Sequence, residues 1–287
     1  MRTIFNIITQ GACLGLLALV VSGCNSLYYF PDQVDYVRPD KLKLSYQEHN
    51  LDEADGTRLN LWHIAPVAGK DRRAVVVHFH GNAQNMSAHF LFVAWLAKAG
   101  YDVVTFDYRG YGRSSGVPER AGLFRDGRAV LDWVRQAPEL RGKDVIVFGQ
   151  SLGGAVATVV VAEAPPGQVK VLAVESTFAS YRDLAQAKLA DVWLTWPFQV
   201  PLSYLISDEN SPVAYAPRLR LPFLSIHGTV DPVIPLAEGK ALYDAVGSKD
   251  KEFWSLPGEG HTPAFAAEET QWQQPFIKFL CGHAGRC

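Results

Sequence analysis

The amino-acid sequence predicts an α/β fold with a mostly parallel central sheet. Short apolar runs typical of strands alternate along the chain with runs typical of helices, and this alternation produces a parallel sheet with helices on both faces. Several of the strand-like runs, such as Ala74–Phe79, are apolar at almost every position, which is typical of strands buried on both faces. A chain of 287 residues, 48% of them apolar, has ample material for one such domain.

The predicted elements run from Lys41 to Leu280. The first two strands are joined at Asp55-Gly56, a turn sequence that predicts an antiparallel hairpin. In chain order the predictions are strands Lys41–Asn50, Thr57–Ile64 and Ala74–Phe79, helix Ser87–Lys98, strand Asp102–Phe106, helix Pro118–Gln136, strand Asp144–Phe148, helix Gly154–Ala164, strands Lys170–Glu175 and Leu221–His227, helix Leu236–Val246, strand Glu252–Leu256 and helix Thr262–Leu280.

The alternation stops between residues 178 and 217, where the sequence is helical and aromatic. Because this stretch lies between two predicted sheet strands, we expect it to form a small helical cap above the carboxyl edge of the sheet. Its aromatic side chains either line a binding pocket or only pin the cap to the body of the domain. They are Tyr181, Trp193, Trp196, Phe198 and Tyr204.

Residues 1–23 are predicted to be a signal peptide outside the fold. Arg2 precedes a mostly apolar run, Ile4–Val21, and small residues lead to Cys24. This pattern resembles a bacterial lipoprotein signal, in which the cysteine is lipidated and becomes the first residue. The alternative is an uncleaved membrane anchor, although polar residues interrupt the run.

The resemblance implies a lipid-anchored protein of a bacterial cell envelope that faces the periplasm. Asn25 is not the aspartate that typically marks retention in the inner membrane, so the outer membrane is favoured. We assign residues 24–40 to a tether, residues 41–287 to the folded domain and residues 178–217 to the cap insertion.

Charge and cysteine content limit the remaining classes of partner. A net charge of −2 gives no reason to expect nucleic acid. Once Cys13 is lost with the signal and Cys24 is lipidated, Cys281 and Cys287 are left, and a small disulfide at the carboxyl terminus is expected. No Cys/His cluster has the sequence spacing of metal ligands, so neither a metal nor another cofactor is predicted.

The motif Gly149-Gln-Ser-Leu-Gly153 follows a predicted strand and precedes a predicted helix. On such a turn the side chain of Ser151 is pushed out of the carboxyl edge of the sheet, where it can act as a nucleophile. Glycine is needed on both sides because a Cβ atom would collide with the neighbouring strand and helix. An ordinary serine cap is the alternative, but the preceding strand and the partners described below favour a nucleophile.

A serine nucleophile needs an adjacent base that is itself oriented by a carboxylate. His261 is the candidate base, since it follows the last predicted strand in a glycine-containing loop. Asp231 is the candidate acid, because it follows the strand before that and so lies at the same sheet edge as Ser151. Glu175, which ends an earlier strand, is the alternative acid; its other interpretation is a salt-bridged structural carboxylate.

The oxyanion of an acyl-transfer reaction needs two hydrogen-bond donors. The backbone N–H of Leu152 is the first, because it lies at a helix start. The loop after strand Ala74–Phe79 supplies the second, for which Asn82 is preferred and Ala83 is next. His80, in the same loop, is interpreted as a bracing residue rather than a base.

Five motifs in this order resemble the α/β-hydrolase superfamily, and most closely its serine-aminopeptidase and monoacylglycerol-lipase-like branch. The similarity runs from about Lys41 to Leu280, and its motifs are His80-Gly-Asn-Ala-Gln-Asn85, Phe106-Asp-Tyr-Arg-Gly-Tyr-Gly-Arg-Ser-Ser115, Gly149-Gln-Ser-Leu-Gly-Gly154, His227-Gly-Thr-Val-Asp-Pro-Val-Ile-Pro235 and Gly260-His261.

The resemblance implies that Ser151 is the nucleophile, His261 the base and Asp231 the acid. It also implies that the motif beginning at Phe106 is a structural loop beside the site, in which Arg109 braces other loops.

The sequence therefore predicts a membrane-anchored serine hydrolase that cleaves carboxylic ester bonds of small-molecule acyl substrates. Two alternatives remain. One is an aminopeptidase or acyltransferase that uses the same three residues, and the other is a non-catalytic lipoprotein that keeps the fold for binding.

Overall fold

The computed structural model describes residues 28–69 and 73–285. The chain divides into two compact units, Met1–Phe30 and Pro31–Cys287, and only residues 28–30 of the first unit are described. The predicted signal peptide, Cys24 and Cys287 lie outside the described residues. Within the described ranges, no helix has the length and apolar character needed to cross a membrane.

An eight-stranded sheet forms the centre of the second unit. Its strands are β1 (Tyr46–Asp52), β2 (Arg58–Ile64), β3 (Val75–Phe79), β4 (Asp102–Phe106), β5 (Val145–Gln150), β6 (Val171–Glu175), β7 (Phe223–Gly228) and β8 (Lys251–Leu256). Their order across the sheet is β8-β7-β6-β5-β3-β4-β2-β1. The hairpin β1–β2 is antiparallel, β2 is antiparallel to β4, and all the other pairs are parallel. Two further strands contain two residues each, Phe30–Pro31 and Ala83–Gln84.

Helices connect the parallel strands, as the alternation of the sequence predicts. They are α1 (Met86–His89), α2 (Ala94–Lys98), α3 (Arg120–Gln136), α4 (Leu152–Glu163), α5 (Tyr181–Ala190), α6 (Gln199–Ser203), α7 (Pro212–Tyr215), α8 (Leu236–Ala245) and α9 (Gln273–His283). Short 3₁₀ helices lie at Pro39–Leu42, Phe90–Phe92, Trp196–Phe198 and Ala216–Arg218. The predicted fold class is confirmed.

Strands β3 to β7 are buried at every residue, which explains their largely apolar sequences. On one face, Phe148 of β5 packs against Phe265 and Phe276, with ring centroids 5.6 and 5.5 Å apart. On the other face, α3 approaches the sheet so closely that a Cβ atom on Gly127 would lie 2.6 Å from the ring of Phe79. The core therefore fixes the carboxyl ends of the parallel strands in a rigid layer.

Two predicted helices differ from the observed ones. The predicted helix Ser87–Lys98 is divided into α1, the 3₁₀ turn Phe90–Phe92 and α2, because the backbone of Val93 leaves the helical region at φ −121° and ψ −7°. The predicted helix Thr262–Leu280 begins only at Gln273. Thr262 has a positive φ of 49°, outside the right-handed helical region, and the proline after it also disfavours a helical conformation at residue 262.

Candidate active site

Ser151 occupies a strained turn between β5 and α4. Its backbone has φ 53° and ψ −121°, a conformation that residues other than glycine adopt only where the surroundings impose it. The Ser151 N–H donates to the carbonyl of Glu175 at 2.9 Å, and its carbonyl accepts from the Thr177 hydroxyl at 2.8 Å. Both contacts fasten the turn to β6 and to the loop that follows it, so the serine stands at the carboxyl edge of the sheet.

The glycines around Ser151 are required by close backbone contacts. A Cβ atom on Gly149 would lie 2.6 Å from the carbonyl oxygen of Gly153, and one on Gly153 would lie 2.1 Å from that of Phe79. Gly154 is equally restricted, because its Cβ would lie 2.7 Å from the Cβ of Thr177. The predicted collision with the neighbouring strand and helix is confirmed.

Replacing Gly153 with alanine should therefore destabilise the fold by about 3 kcal/mol or more, since backbone carbonyls cannot rotate away as a side chain can. Gly282 is the matched control: it also lies in a helix, and a Cβ there would have no neighbour within 4 Å. Gly282→Ala should leave the free energy of unfolding unchanged or raise it slightly. Urea denaturation of both variants checks this, and equal stabilities would contradict the packing described for Gly153.

His261 and Asp231 are joined by a hydrogen bond between His261 Nδ1 and Asp231 Oδ2, 2.8 Å long. The Asp231 side chain is 0% exposed and that of His261 is 22% exposed. The two loops also touch through their backbones, because a Cβ on Gly228 would lie 2.1 Å from the carbonyl oxygen of Gly260. The structure thus brings together two of the three residues that the sequence assigns to the triad.

Asp231 is held as an ionised acceptor. Burial alone would raise the pKa of its carboxyl group, but the hydrogen bond from His261 and those from the backbone of Ile234 and Val233 outweigh burial and lower the pKa. The two backbone donors lie 2.9 and 2.8 Å from Oδ1. An acceptor at this position makes His261 Nδ1 the donor, which leaves Nε2 with a lone pair able to take a proton.

Ser151 and the residue after His261 are hydrogen-bonded to consecutive residues at the end of β6. Glu175 accepts from the N–H of Ser151, while the hydroxyl of Ser176 accepts from the N–H of Thr262, next to His261, at 3.0 Å. The Ser151 hydroxyl makes no hydrogen bond to any residue that the structure describes. In enzymes without substrate the contact between a catalytic serine and its histidine is often long, and it tightens when substrate binds.

One predicted oxyanion donor, Leu152, directly follows Ser151, and the other, Asn82, follows a glycine that packs against this serine. Leu152 is the first residue of α4, where no carbonyl of the helix is available to its N–H. The Gly81 backbone packs against the serine, so that a Cβ on Gly81 would lie 3.6 Å from Ser151 Cβ. Asn82 comes directly after it, and its Oδ1 accepts from the Tyr111 hydroxyl at 2.8 Å. Tyr111 therefore holds the loop that carries the second candidate donor.

Glu175, the alternative acid, has different partners from Asp231. It is fully buried and accepts from the backbone N–H of Ala264 and from the Gln150 side chain, each at 2.7 Å. It has no hydrogen bond to His261 and no salt bridge among the described residues. Glu175 instead links the loop after His261 to the residue before Ser151, a positioning role that its sequence position alone does not reveal.

Burial raises the pKa of Glu175 to about 7, from an ordinary value of 4.5. The folded protein then keeps a proton that the unfolded chain releases, so stability should fall as the pH rises from 4.5 to 7 and level off above that. The cost at high pH is on the order of 3 kcal/mol. Asp107, whose pKa burial also raises to about 7, adds to the same trend.

The contribution of Glu175 is isolated by measuring the free energy of unfolding against pH for the unaltered protein and for a Glu175→Gln variant and subtracting one curve from the other. Asp107 is present in both proteins, so its contribution cancels. Unfolding free energies measured from pH 5 to pH 8 should fall less steeply in the variant. Parallel curves for the two proteins would show that Glu175 is ionised throughout.

The loop beginning at Phe106 braces the site, as the sequence predicts for Arg109. Its guanidinium group lies 2.7 Å from Asp126, 3.0 Å from Asp55 and 3.2 Å from Glu53. In the same loop, Asp107 accepts from the backbone N–H of Met86 at 2.7 Å, directly after the candidate oxyanion loop. These contacts bind the loop to the first hairpin, to α3 and to α1.

His80 is buried in the loop that contains Asn82, and its ring packs against Tyr108 and Tyr111 at centroid distances of 4.5 and 5.3 Å. Its Nδ1 lies 2.7 Å from the carbonyl oxygen of Gly81. Burial lowers its pKa well below the ordinary value. These surroundings are those of the bracing residue that the sequence predicts.

The cap lies between β6 and β7 and touches the candidate acid loop, where Lys188 Nζ donates to the carbonyl of Pro232 at 2.8 Å. Tyr181 packs against Phe178 and lies under the guanidinium of Arg120, so it does pin the cap to the body. The other aromatic residues of the cap are more exposed than either interpretation of the sequence predicts. Trp193 is 84% exposed and Trp196 60% exposed, and Phe198 and Tyr204 are also mostly exposed.

The family model for serine aminopeptidase, S33, matches residues 70–215. The protein YfhR of Escherichia coli (strain K12) is 34% identical over 84% of this chain and 81% of its own length. The α/β-hydrolase domain-containing protein WAV2 of Arabidopsis thaliana is 27% identical over 93% of this chain and 92% of its own.

Among solved structures, the esterase Pf2001 of Pyrococcus furiosus has a similar fold, with a TM-score of 0.71 and 22% identity over 90% of this chain and 98% of that chain. The likeness shows a shared fold. The motifs and the matched family model agree with one another along most of the second unit. The chain belongs to the α/β-hydrolase superfamily and, within it, to the serine aminopeptidase (S33) family.

Proposed function

We propose that the protein is a serine esterase that cleaves carboxylic esters through an acyl-enzyme intermediate. The observation that carries the proposal is the hydrogen bond from His261 Nδ1 to the buried carboxylate of Asp231, in a loop fastened beside the strained Ser151. A serine oxygen, an imidazole with an open nitrogen and a buried carboxylate are the three groups that nucleophilic acyl transfer needs.

In the first half of the proposed reaction, Ser151 Oγ attacks the ester carbonyl carbon while His261 Nε2 takes the hydroxyl proton. The carbonyl oxygen becomes an oxyanion, which accepts from the backbone N–H groups of Leu152 and Asn82. Each donor would lower the barrier by about 3 kcal/mol. The intermediate collapses when its bond to the alcohol oxygen breaks and His261 donates the proton to that oxygen. The acyl group stays on Ser151.

In the second half, a water molecule attacks the acyl carbon and gives a proton to His261. The oxyanion forms again at the same donors, and the bond to Ser151 Oγ breaks as His261 returns the proton to the serine. The carboxylic acid leaves and the free hydroxyl is restored. Asp231 stabilises the imidazolium in both halves by accepting from Nδ1.

The matched family model is described as a serine aminopeptidase, which favours amide hydrolysis as the second candidate function. An acyltransferase would use the same acyl-enzyme and replace water with another nucleophile.

A comparison of p-nitrophenyl esters of increasing chain length with aminoacyl anilides separates these activities. We expect kcat/KM for the best ester to exceed that for any anilide. Turnover of anilides alone would reverse the order, and faster ester consumption with an added alcohol as acceptor would indicate acyl transfer. A folded protein that turns over neither class would favour a non-catalytic binding lipoprotein.

We further propose that Cys24 carries a lipid anchor and that the carboxyl edge of the sheet faces the membrane. Asp32, at the start of the second unit, accepts from the Asn85 side chain at 2.7 Å and, through its carbonyl, from the Gly112 N–H at 2.8 Å. Asn85 lies in the loop that contains Asn82, so the first residues of the second unit lie beside the candidate site.

The cap fits a bilayer surface. Residues 192–207 contain no charged residue, and their large apolar side chains are mostly exposed. Tryptophan and tyrosine favour the boundary between membrane and water, and an exposed apolar patch of this kind indicates an interaction site. The exposed residues are Val192, Trp193, Leu194, Trp196, Phe198, Val200, Tyr204 and Leu205.

We predict that spin-labelled lipids quench the fluorescence of Trp193 and Trp196 when the full-length protein is incorporated into vesicles. A Trp193→Phe/Trp196→Phe variant should lose most of the quenching, whereas the control Trp254→Phe, on β8, should keep it. Equal quenching in the two variants would contradict membrane contact by the cap. Concentration-dependent cross-linking through the cap without quenching would indicate that a second copy of the chain covers it.

The mass of the membrane-extracted protein tests the anchor separately. A chain that begins at Cys24 and carries acyl groups is expected. Retention of residues 1–23 would instead support the uncleaved anchor.

A further inference from the structure

His49, His63 and Glu139 bring three possible metal-ligand atoms together near one end of the sheet. One such atom from each residue lies within 4.8 Å of the other two. His49 is on β1 and His63 on β2, while Glu139 follows α3. In the strand register His63 lies opposite Gln47, two residues from His49, so both histidines occupy the same face of the hairpin. Two strands, β3 and β4, lie between this hairpin and β5, the strand that leads to Ser151.

His63 has one ring nitrogen committed and one available. Its Nε2 lies 2.8 Å from Asp102 Oδ1. The other carboxylate oxygen of Asp102 accepts from Lys143 Nζ, so Asp102 is an acceptor for both side chains. Nε2 therefore donates, and in the neutral ring Nδ1 keeps a lone pair. A carboxylate on the second nitrogen is the usual arrangement for a histidine that binds a metal.

The open nitrogen of His63 faces Glu139, with Nδ1 and Oε1 3.9 Å apart. Two ligands that bind one tetrahedral zinc ion are separated by roughly 3.3 Å, given bonds of about 2.0 Å. Glu139 is a third exposed and follows a helix, so a small rotation of its side chain closes the difference.

His49 supplies the third ligand. Its Nε2 is shielded from solvent and makes no hydrogen bond within the part of the chain that the structure describes. The ring packs against Trp133 with a centroid distance of 4.9 Å, which limits its rotation.

We propose that His49, His63 and Glu139 bind a divalent transition metal ion of the zinc type. Two imidazole nitrogens and a carboxylate are ligands that Zn²⁺ favours, and a water molecule would take the fourth position. Bound there, the ion would fasten the β1–β2 hairpin to the segment between α3 and β5. No such site is visible in the sequence, since the three residues are far apart along it and meet only through strand register and the end of α3.

The test uses the full-length protein without a polyhistidine tag, stripped of metal by a chelator. Titration with ZnCl₂ in a calorimeter should give one saturable site per chain. Co²⁺ in place of Zn²⁺ should give the intense visible absorption of four-coordinate cobalt rather than the weak absorption of the hydrated ion. His49→Ala and His63→Ala should each weaken binding at least tenfold, and Glu139→Gln should weaken it less.

Two matched control variants replace a histidine and a carboxylate that lie outside the cluster. His283→Ala and Glu268→Gln should bind Zn²⁺ as the unaltered protein does. If His63→Ala fails to fold, His49→Ala and Glu139→Gln still decide the matter, because both side chains are partly exposed. The absence of a saturable site, or the same affinity after replacement of His49 and Glu139, would overturn the proposal. Esterase activity is measured in parallel and should not change.

Discussion

Replacement of Ser151 with alanine should reduce kcat for ester hydrolysis by about 10⁶-fold, the loss typical of removing the nucleophile of a serine hydrolase. The change removes one oxygen from a partly exposed side chain whose hydroxyl makes no hydrogen bond to the described residues. The fold should therefore be unaffected, because the turn is held by backbone contacts to Glu175 and Thr177. Circular dichroism and thermal unfolding check the fold, and p-nitrophenyl acetate hydrolysis checks the rate.

Ser176→Ala provides a control for chemistry at the neighbouring serine. Its hydroxyl accepts from the Thr262 N–H, so its loss should disturb the His261 loop and reduce the rate far less than loss of Ser151. A Ser151→Ala protein that keeps more than a few per cent of the activity would show that another residue carries the reaction.

Replacement of Asp231 with asparagine should lower kcat by about 10⁴-fold, because an amide can donate to His261 and favour the wrong tautomer. Glu175→Gln is the matched carboxylate-to-amide control. Its carboxylate accepts from Ala264 and Gln150 rather than from His261, so the loss should be about tenfold, the value of one hydrogen bond of modest strength.

The two variants separate the acid, Asp231, from Glu175, which positions the loop after His261. Since the Asp231 effect arises from the histidine tautomer, it should appear in kcat and leave KM nearly unchanged. Equal losses for the two variants would show that the hydrogen bond between His261 and Asp231 does not distinguish their roles. A greater loss for Glu175→Gln would make Glu175 the acid.

The central strands could be predicted closely because a sheet buried on both faces needs continuous apolar runs. Strand Asp102–Phe106 has the predicted bounds, and Ala74–Phe79 is observed as Val75–Phe79. The loop before α9 could not be predicted in the same way. Ala264 and Phe265 are buried there without being helical, so their apolar pattern imitates a helix face.

The sequence indicates candidate residues for the site but not the hydrogen-bond partners of each. Glu175 ends a buried strand and Asp231 follows another, both at one edge of the sheet, and their sequence positions therefore do not distinguish them. The distinction comes from which donors each meets, His261 for one and the Ala264 backbone for the other. Likewise, nothing in the sequence separates the exposed Trp193 from the core tryptophan Trp62, because exposure depends on the packing of the cap.

The most direct measurement is reaction of the full-length protein with a fluorophosphonate, followed by mass spectrometry of the intact chain and of its peptides. We predict one adduct per chain, on Ser151. The rate of its formation should fall sharply in His261→Ala, and Ser151→Ala and the double variant should form no adduct. A folded protein that gains no adduct, or gains one on a residue other than Ser151, would contradict the assignment of this serine as the nucleophile.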